Sequence, residues 1–123
     1  MKFSFCIFLF IIGTTLSSAQ ADLGTALSKG DIPGIAVYLG EKVELTIGQK
    51  EEVLSKAQAQ VRLREFYAGH TPKAFKMMHS GNSKSNDSNY QIGELTTENG
   101  VFRVYLYFSQ QASGRVVTEL RFE

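Results

Sequence analysis

Three alternating runs occupy the last third of this sequence, and the turns between them leave the chain little freedom. Tyr90–Glu98 and Val101–Gln110 flank Asn99-Gly100, and Arg115–Phe122 follows Ala112-Ser113-Gly114. Period-two alternation marks strands with one buried face. Asn-Gly between two such runs is the strongest short-range hairpin signal, and Gly114 suits the left-handed position of a three-residue turn. Turn length sets register, and register decides which side chains share a face. A two-residue turn at Asn99-Gly100 sets Leu95 opposite Val104 and Gly93 opposite Leu106. A three-residue second turn sets Leu106 opposite Leu120 and Val104 opposite Phe122. One face then carries Leu95, Phe102, Val104, Leu106, Phe108, Leu120 and Phe122, with Gln91, Thr97 and Thr118 as its polar members. The other face is a ladder with Ile92, Tyr107 and Glu119 in one row, Glu94, Tyr105 and Arg121 in the next, and Thr96, Arg103 and Glu123 in a third. Opposite charges and aromatics side by side stabilise a sheet by about 0.2–1 kcal/mol per pair.

The apolar face needs a cover, and the sequence before it supplies helices. Asp22 caps a short helix with Leu23, Ala26 and Leu27 on one side and Gly30 as its stop. Asp31 caps a second over Ile32–Leu39, with Pro33 in its first turn and Gly40 beyond its end. Val43, Leu45 and Ile47 alternate with Glu44 and Thr46, so Lys42–Ile47 reads as a strand, and Gly48–Glu52 as a polar turn. Ser55-Lys56-Ala57-Gln58 is a capping box. It opens a helix to about Tyr67, with Ala57, Val61 and Phe66 inward, ended by Gly69 and Thr71-Pro72. Phe75–Ser80 is a further strand, and Gly81–Asn89 a polar loop.

Residues 1–19 have the composition of a leader. Lys2 precedes the apolar stretch Phe3–Ile12, and Ser17-Ser18-Ala19 puts small residues where a signal peptidase cuts, with Ala21 as a second cleavage position. Ten or so apolar residues fall short of the roughly 20 a membrane span requires. The expected product is a secreted or periplasmic single domain, residues 20–123, without stable membrane insertion. Cleavage removes Cys6, the only cysteine, so the remaining chain has no disulfide and no thiolate chemistry. It also removes Lys2, leaving 12 basic and 12 acidic groups. That balance provides no basic field for nucleic acid.

The pattern of helices, a strand, a long helix and an antiparallel meander resembles the nuclear transport factor two-like, cystatin-like superfamily. More narrowly, the chain resembles a family of small secreted bacterial proteins known as a domain of unknown function. The matching stretches are Val43–Ile47, Ser55–Ala59, Tyr90–Thr97, Asn99-Gly100 with Phe102–Tyr105, and Leu120–Glu123. The resemblance covers about residues 22–123 and implies an α+β fold in which N-terminal helices pack on a curved antiparallel sheet, cone-like, with room for a pocket between helix and sheet. Dimers through the outer sheet face are frequent in the superfamily. These residues are structural and transfer no catalytic role.

Groups able to do chemistry are few. His79 shares a strand face with Phe75 and Met77 in this reading, but no carboxylate is in phase to orient its ring. His70 sits at a helix end, where a cation is mildly favoured. The two histidines lack an acidic partner for a metal. Met77 and Met78, being adjacent in a strand, face opposite ways. Asp87 stands alone in a loop too poor in acids for calcium. No cofactor or metal site is expected. Glu94, Glu119 and Glu123 fall on the outer ladder, so the interior has no ionisable group for acid–base work. The leading expectation is a non-catalytic binding or assembly module, a homodimer or a partner of another protein, using Tyr105, Tyr107, Arg103, Arg121, Glu94 and Glu119. A second is a carrier or sensor of a small apolar ligand in a helix–sheet pocket near His79, Phe66, Met77 and Leu106. A third is a small enzyme using His79 or Tyr90.

Overall fold

The computed structural model describes residues 22–82, 89–112 and 114–123. The expected leader with Cys6, Ala19 and Ala21, the loop residue Asp87, and Ser113 lie outside these residues. The elements run α1 Leu23–Lys29, α2 Ile32–Ala36, β1 Leu39–Ile47, β2 Lys50–Ser55, α3 Lys56–Gly69, β3 Pro72–Asn82, β4 Asn89–Thr97, β5 Gly100–Gln111 and β6 Gly114–Phe122. The strands form one six-stranded sheet in the order β2-β1-β6-β5-β4-β3. All neighbours are antiparallel except β1 and β6, which run parallel. The expected antiparallel sheet is thus a mixed one, because the first and last strands meet side by side.

Helix caps follow the sequence closely. The Asp22 carboxylate accepts from the Gly24 N–H at 2.7 Å, and Asp31 accepts from Gly34 at 3.2 Å. Gly30 ends α1 with φ of 67°, a left-handed conformation that glycine adopts without penalty. Ser55 and Gln58 form both halves of the capping box. Helix α2 stops at Ala36, three residues before the expected end, and Leu39 and Gly40 begin β1. Leu39 is still buried, so burial was legible there although the element was not. The inward face of α3 is Ala59, Leu63, Phe66 and Tyr67, whereas Ala57 and Val61 are exposed. Ala57 and Val61 lie on the opposite side of the helix from Ala59 and Leu63, and α3 packs against β1 and α2.

Gly48–Glu52 is not simply a turn. Ile47 pairs with Lys50 across Gly48-Gln49, and β2 continues to Ser55. Its residues Lys50, Glu51 and Glu52 hide the strand from a hydropathy reading, yet charged side chains are what an edge strand needs to discourage further pairing. Strand β3 is likewise longer than Phe75–Ser80, running from Pro72 to Asn82.

Both hairpins differ from their expected form in an instructive way. Thr97 pairs with Gly100, so the loop is Glu98-Asn99 and not Asn99-Gly100. No described residue other than glycine has positive φ, which excludes the left-handed Asn that a type I′ Asn-Gly turn demands. The Thr97 hydroxyl instead holds the loop, accepting from the Asn99 N–H at 3.2 Å and donating to the Gly100 carbonyl at 2.8 Å. Leu95 therefore opposes Phe102, and Gly93 opposes Val104, a shift of two residues that leaves every side chain on its expected face. In the second hairpin Gln111 pairs with Gly114, one residue tighter than expected, and a bulge between Tyr107 and Phe108 on the β6 side restores the pairing of Leu106 with Leu120 and Val104 with Phe122. The bulge turns Val117 into the core in place of Thr118, whose hydroxyl lies 3.3 Å from that of Ser109.

The helices cover the apolar face. Leu27, Ile35, Leu63, Leu95, Leu106, Leu120 and Phe122 are fully buried between the layers. Phe66 of α3 packs its ring 4.7 Å from Phe122 and edge-on to Phe102 at 5.1 Å. The Tyr67 hydroxyl donates to the Leu27 carbonyl at 2.9 Å, tying α3 to α1, and burial pushes its ionisation well above that of an exposed phenol.

Candidate functional site

The face of the sheet turned away from the helices gathers all six residues of the expected ladder. Tyr105 opposes Arg121, Tyr107 opposes Glu119, and Arg103 opposes Glu94. The two-residue shift at the β4–β5 turn changes the rows. Ile92 stands beside Tyr105, Tyr90 beside Tyr107, and Glu94 beside Arg103 where Thr96 was expected. The Arg121 guanidinium lies 5.6 Å from the Tyr105 ring centre and pairs with Glu123. Its Nε is buried without a hydrogen-bond partner among the described residues.

His79 belongs to this outer face, contrary to expectation. The register of β3 slips between Met77 and His79, so Met77 opposes Gly93 on the inner side while His79 opposes Ile92 on the outer one. The bulged residue between them, Met78, breaks the two-residue period on which the prediction rested. The His79 Nε2 lies 3.2 Å from the Tyr90 hydroxyl, and the Tyr90 ring is 6.4 Å from that of Tyr107.

The opposite end of the face is acidic. Glu44 and Glu119 stand directly opposite each other on the parallel strands β1 and β6. When protonated, the Glu44 carboxyl can donate a hydrogen bond to Glu51 of β2. That hydrogen bond, the neighbouring Glu119 charge and partial burial raise the Glu44 pKa above its ordinary value, against the pull of Arg121. Glu51 joins this group because Lys50–Ser55 is a strand, whereas its charged sequence suggests a turn.

The four residues of the expected pocket are not brought together. His79 is outside. Leu106 is fully buried, and Phe66 is locked among Tyr67, Phe102 and Phe122. Of the four, Met77 alone borders a groove of about 400 Å³ that opens between the start of α1 and the inner face of the sheet. Its walls are Leu23, Gly24, Tyr38, Met77, Gln91 and Phe108, with Asp22 and Arg115 at the rim. A second groove of about 260 Å³ lies between α3 and the β1–β2 hairpin. His70 borders it, with Nδ1 2.8 Å from the Phe66 carbonyl and the ring stacked 4.5 Å from that of Phe66. A carbonyl only accepts, so Nδ1 carries the proton. Glu52 and Arg62 line the same groove as a two-pronged ion pair, with Nε–Oε1 at 2.9 Å and Nη2–Oε2 at 3.4 Å. The pairing lowers the Glu52 pKa and raises that of Arg62. Among the described residues no cluster of three metal-ligating His, Cys, Asp or Glu occurs, and no helix is long and apolar enough to cross a membrane.

A helical layer over one face of a curved six-stranded sheet gives the α+β cone of the nuclear transport factor two-like fold. An NTF2-like protein of unknown function from Cytophaga hutchinsonii superposes with a TM-score of 0.56 at 9% identity, over 80% of this chain and 79% of that one. The particular family is shown by the sequence itself: the profile of DUF4783, a domain of unknown function, matches residues 20–123, and the chain belongs to that family. A DUF4783 protein from Bacteroides uniformis is 31% identical, with a TM-score of 0.76 over 82% of this chain and 92% of that one. Another from Bacteroides fragilis is 30% identical, with a TM-score of 0.76 over 83% and 94%. No curated protein matches the chain.

Proposed function

We propose that this protein is a non-catalytic assembly module that acts outside the cytoplasm and pairs with a second copy of itself through the outer face of its sheet. The carrying observation is the placement of Glu44 directly opposite Glu119, with Glu51 nearby on β2, at one end of that face. Like charges set opposite each other on adjacent strands destabilise a sheet. The other end carries Arg103 on β5 and Lys76 on β3, which alternate with Glu94 and Glu123, and Tyr90, Tyr105 and Tyr107 lie between. Two such faces related by a two-fold axis set Glu44 and Glu119 of one copy against Arg103 and Lys76 of the other, with the tyrosines in the middle. Self-complementarity of this kind is what an isologous interface requires, and tyrosine and arginine are its usual anchors. The composition of the inner face agrees with a non-catalytic role, since its polar side chains Gln91 and Thr97 do not titrate in the range general acid–base chemistry uses.

Sedimentation of the purified protein tests the reading. The wild type is expected to be a dimer at micromolar concentration. Tyr105→Ala should weaken it at least about tenfold, the loss a truncated anchor produces, and Arg103→Glu should do so more strongly at low salt. A wild type that stays monomeric at about a hundredfold higher concentration, or a dimer indifferent to both substitutions, would overturn it.

A further inference from the structure

The groove beside α1 has a built cationic end. Arg115, the second residue of β6, lies with its guanidinium carbon 4.4 Å from the centre of the Phe108 ring, and its Nη2 donates to the Asn89 Oδ1 at 2.7 Å. Ring and amide together hold the guanidinium plane in one orientation at the groove rim. No carboxylate among the described residues pairs with it. The acid across the rim, Asp22, is already committed: Oδ1 accepts from the Gly24 N–H at 2.7 Å and Oδ2 from the Thr25 hydroxyl at 3.2 Å. An arginine has five N–H donors in a fork that matches a carboxylate, and the contacts to Asn89 and Phe108 leave most of them unused.

Beside that cation the groove is mainly apolar, walled by Leu23, Met77 and Phe108, with Gln91 also in its lining. About 400 Å³ lies within the range of small-molecule sites. At roughly 30 Å³ per water-sized group it holds a ligand of about a dozen non-hydrogen atoms. We propose that this groove binds a small organic monocarboxylate with a ring-sized apolar body, its carboxylate on Arg115 and its body against Met77, Leu23 and Phe108. A bare inorganic anion leaves the apolar wall uncovered, and an uncharged apolar ligand leaves the arginine fork unused. The site is separate from the outer face and does not depend on self-association.

The probe is 3-phenylpropionate, with 3-phenylpropionamide as its uncharged counterpart. Each is titrated into protein purified from cells expressing the full chain, and binding is read from the backbone amide signals. The carboxylate should shift Gly24, Gln91 and Phe108, and bind at least about tenfold more tightly than the amide, the worth of one charge-assisted hydrogen bond. Arg115 is exposed, so Arg115→Gln should keep the wild-type melting temperature while reducing the ratio to near one. The proposal fails if acid and amide bind alike to the wild type, if Arg115→Gln leaves the preference intact, if the shifts fall elsewhere, or if about 10 mM carboxylate moves no signal, a limit weaker than any useful ligand affinity.

Discussion

The two faces of this one sheet are built by opposite rules. The inner face is uniform: Leu95, Val104, Leu106, Leu120 and Phe122 are all buried to the same degree, and each is replaceable in kind by another apolar side chain. The outer face is heterogeneous, with tyrosines, arginines and glutamates in alternating rows and with two carboxylates set directly against each other. Packing alone explains the first arrangement. It does not explain the second, since a merely solvated face has no need of tyrosines and gains nothing from opposed glutamates. The contrast is between a side of the sheet fixed by packing and a side that carries an electrostatic cost at Glu44, which Arg121 offsets only in part.

The contrast is sharpest where it can be broken most severely. Phe122 is fully buried in the aromatic cluster, 4.7 Å from the Phe66 ring and 6.4 Å from that of Tyr67. Phe122→Ala removes those contacts and leaves a cavity, and should cost about 3–5 kcal/mol in a urea or guanidinium titration. A loss below about 1 kcal/mol, typical of surface substitutions, would mean that the inner face is not the structural one. A smaller effect is expected at Gly93, where the strand must pass close to its neighbour. A Cβ there would meet the Phe75 ring and lie 2.9 Å from the Lys76 carbonyl oxygen. Gly93→Ala should therefore destabilise by about 1–3 kcal/mol through overpacking, measured by the same titration.

Legibility in the sequence divides along the same line. Faces were readable, because parity survives any register error of two residues: the Asn99-Gly100 turn was misplaced, yet every β4 and β5 side chain stayed on its expected side. Partners were not, because they depend on absolute register. The two bulges cost more. One moved His79 from the inner to the outer face, and the other exchanged Thr118 for Val117. Nothing in Met77-Met78-His79 or Val117-Thr118 marks a bulge, since the extra residue is set by how the sheet bends over the helices and not by local propensity. Strand β2 was lost to its charges, and with it Glu51. The arginine groove was lost for a different reason. Asn89, Phe108 and Arg115 come from three strands and are joined only by topology, so no spacing along the chain announces them.

The smallest predicted effect separates the faces most cleanly. The hydrogen bond to Glu51, and after it the Glu119 charge, raise the Glu44 pKa above 4.5 in the folded protein. Between 4.5 and that raised value the folded state binds more protons than the unfolded one, so stability falls as pH rises through the window. The penalty is absent below it, where both states are protonated, and complete above it. Glu44→Gln removes the titrating group. The variant should be slightly more stable than the wild type at neutral pH, and the difference should vanish as the solution is acidified below 4.5. Added salt should shrink the neutral-pH difference, because the residue is partly exposed and its repulsions are screened. Unfolding curves taken at several pH values on dilute protein measure it, and a variant that is less stable at neutral pH would show that Glu44 is compensated within its own chain. The same substitution should weaken self-association, since it deletes a charge that Arg103 or Lys76 of the second copy would meet. A core substitution cannot produce that combination of a firmer monomer and a looser dimer. Its appearance would mark the outer face as a surface kept strained for a partner.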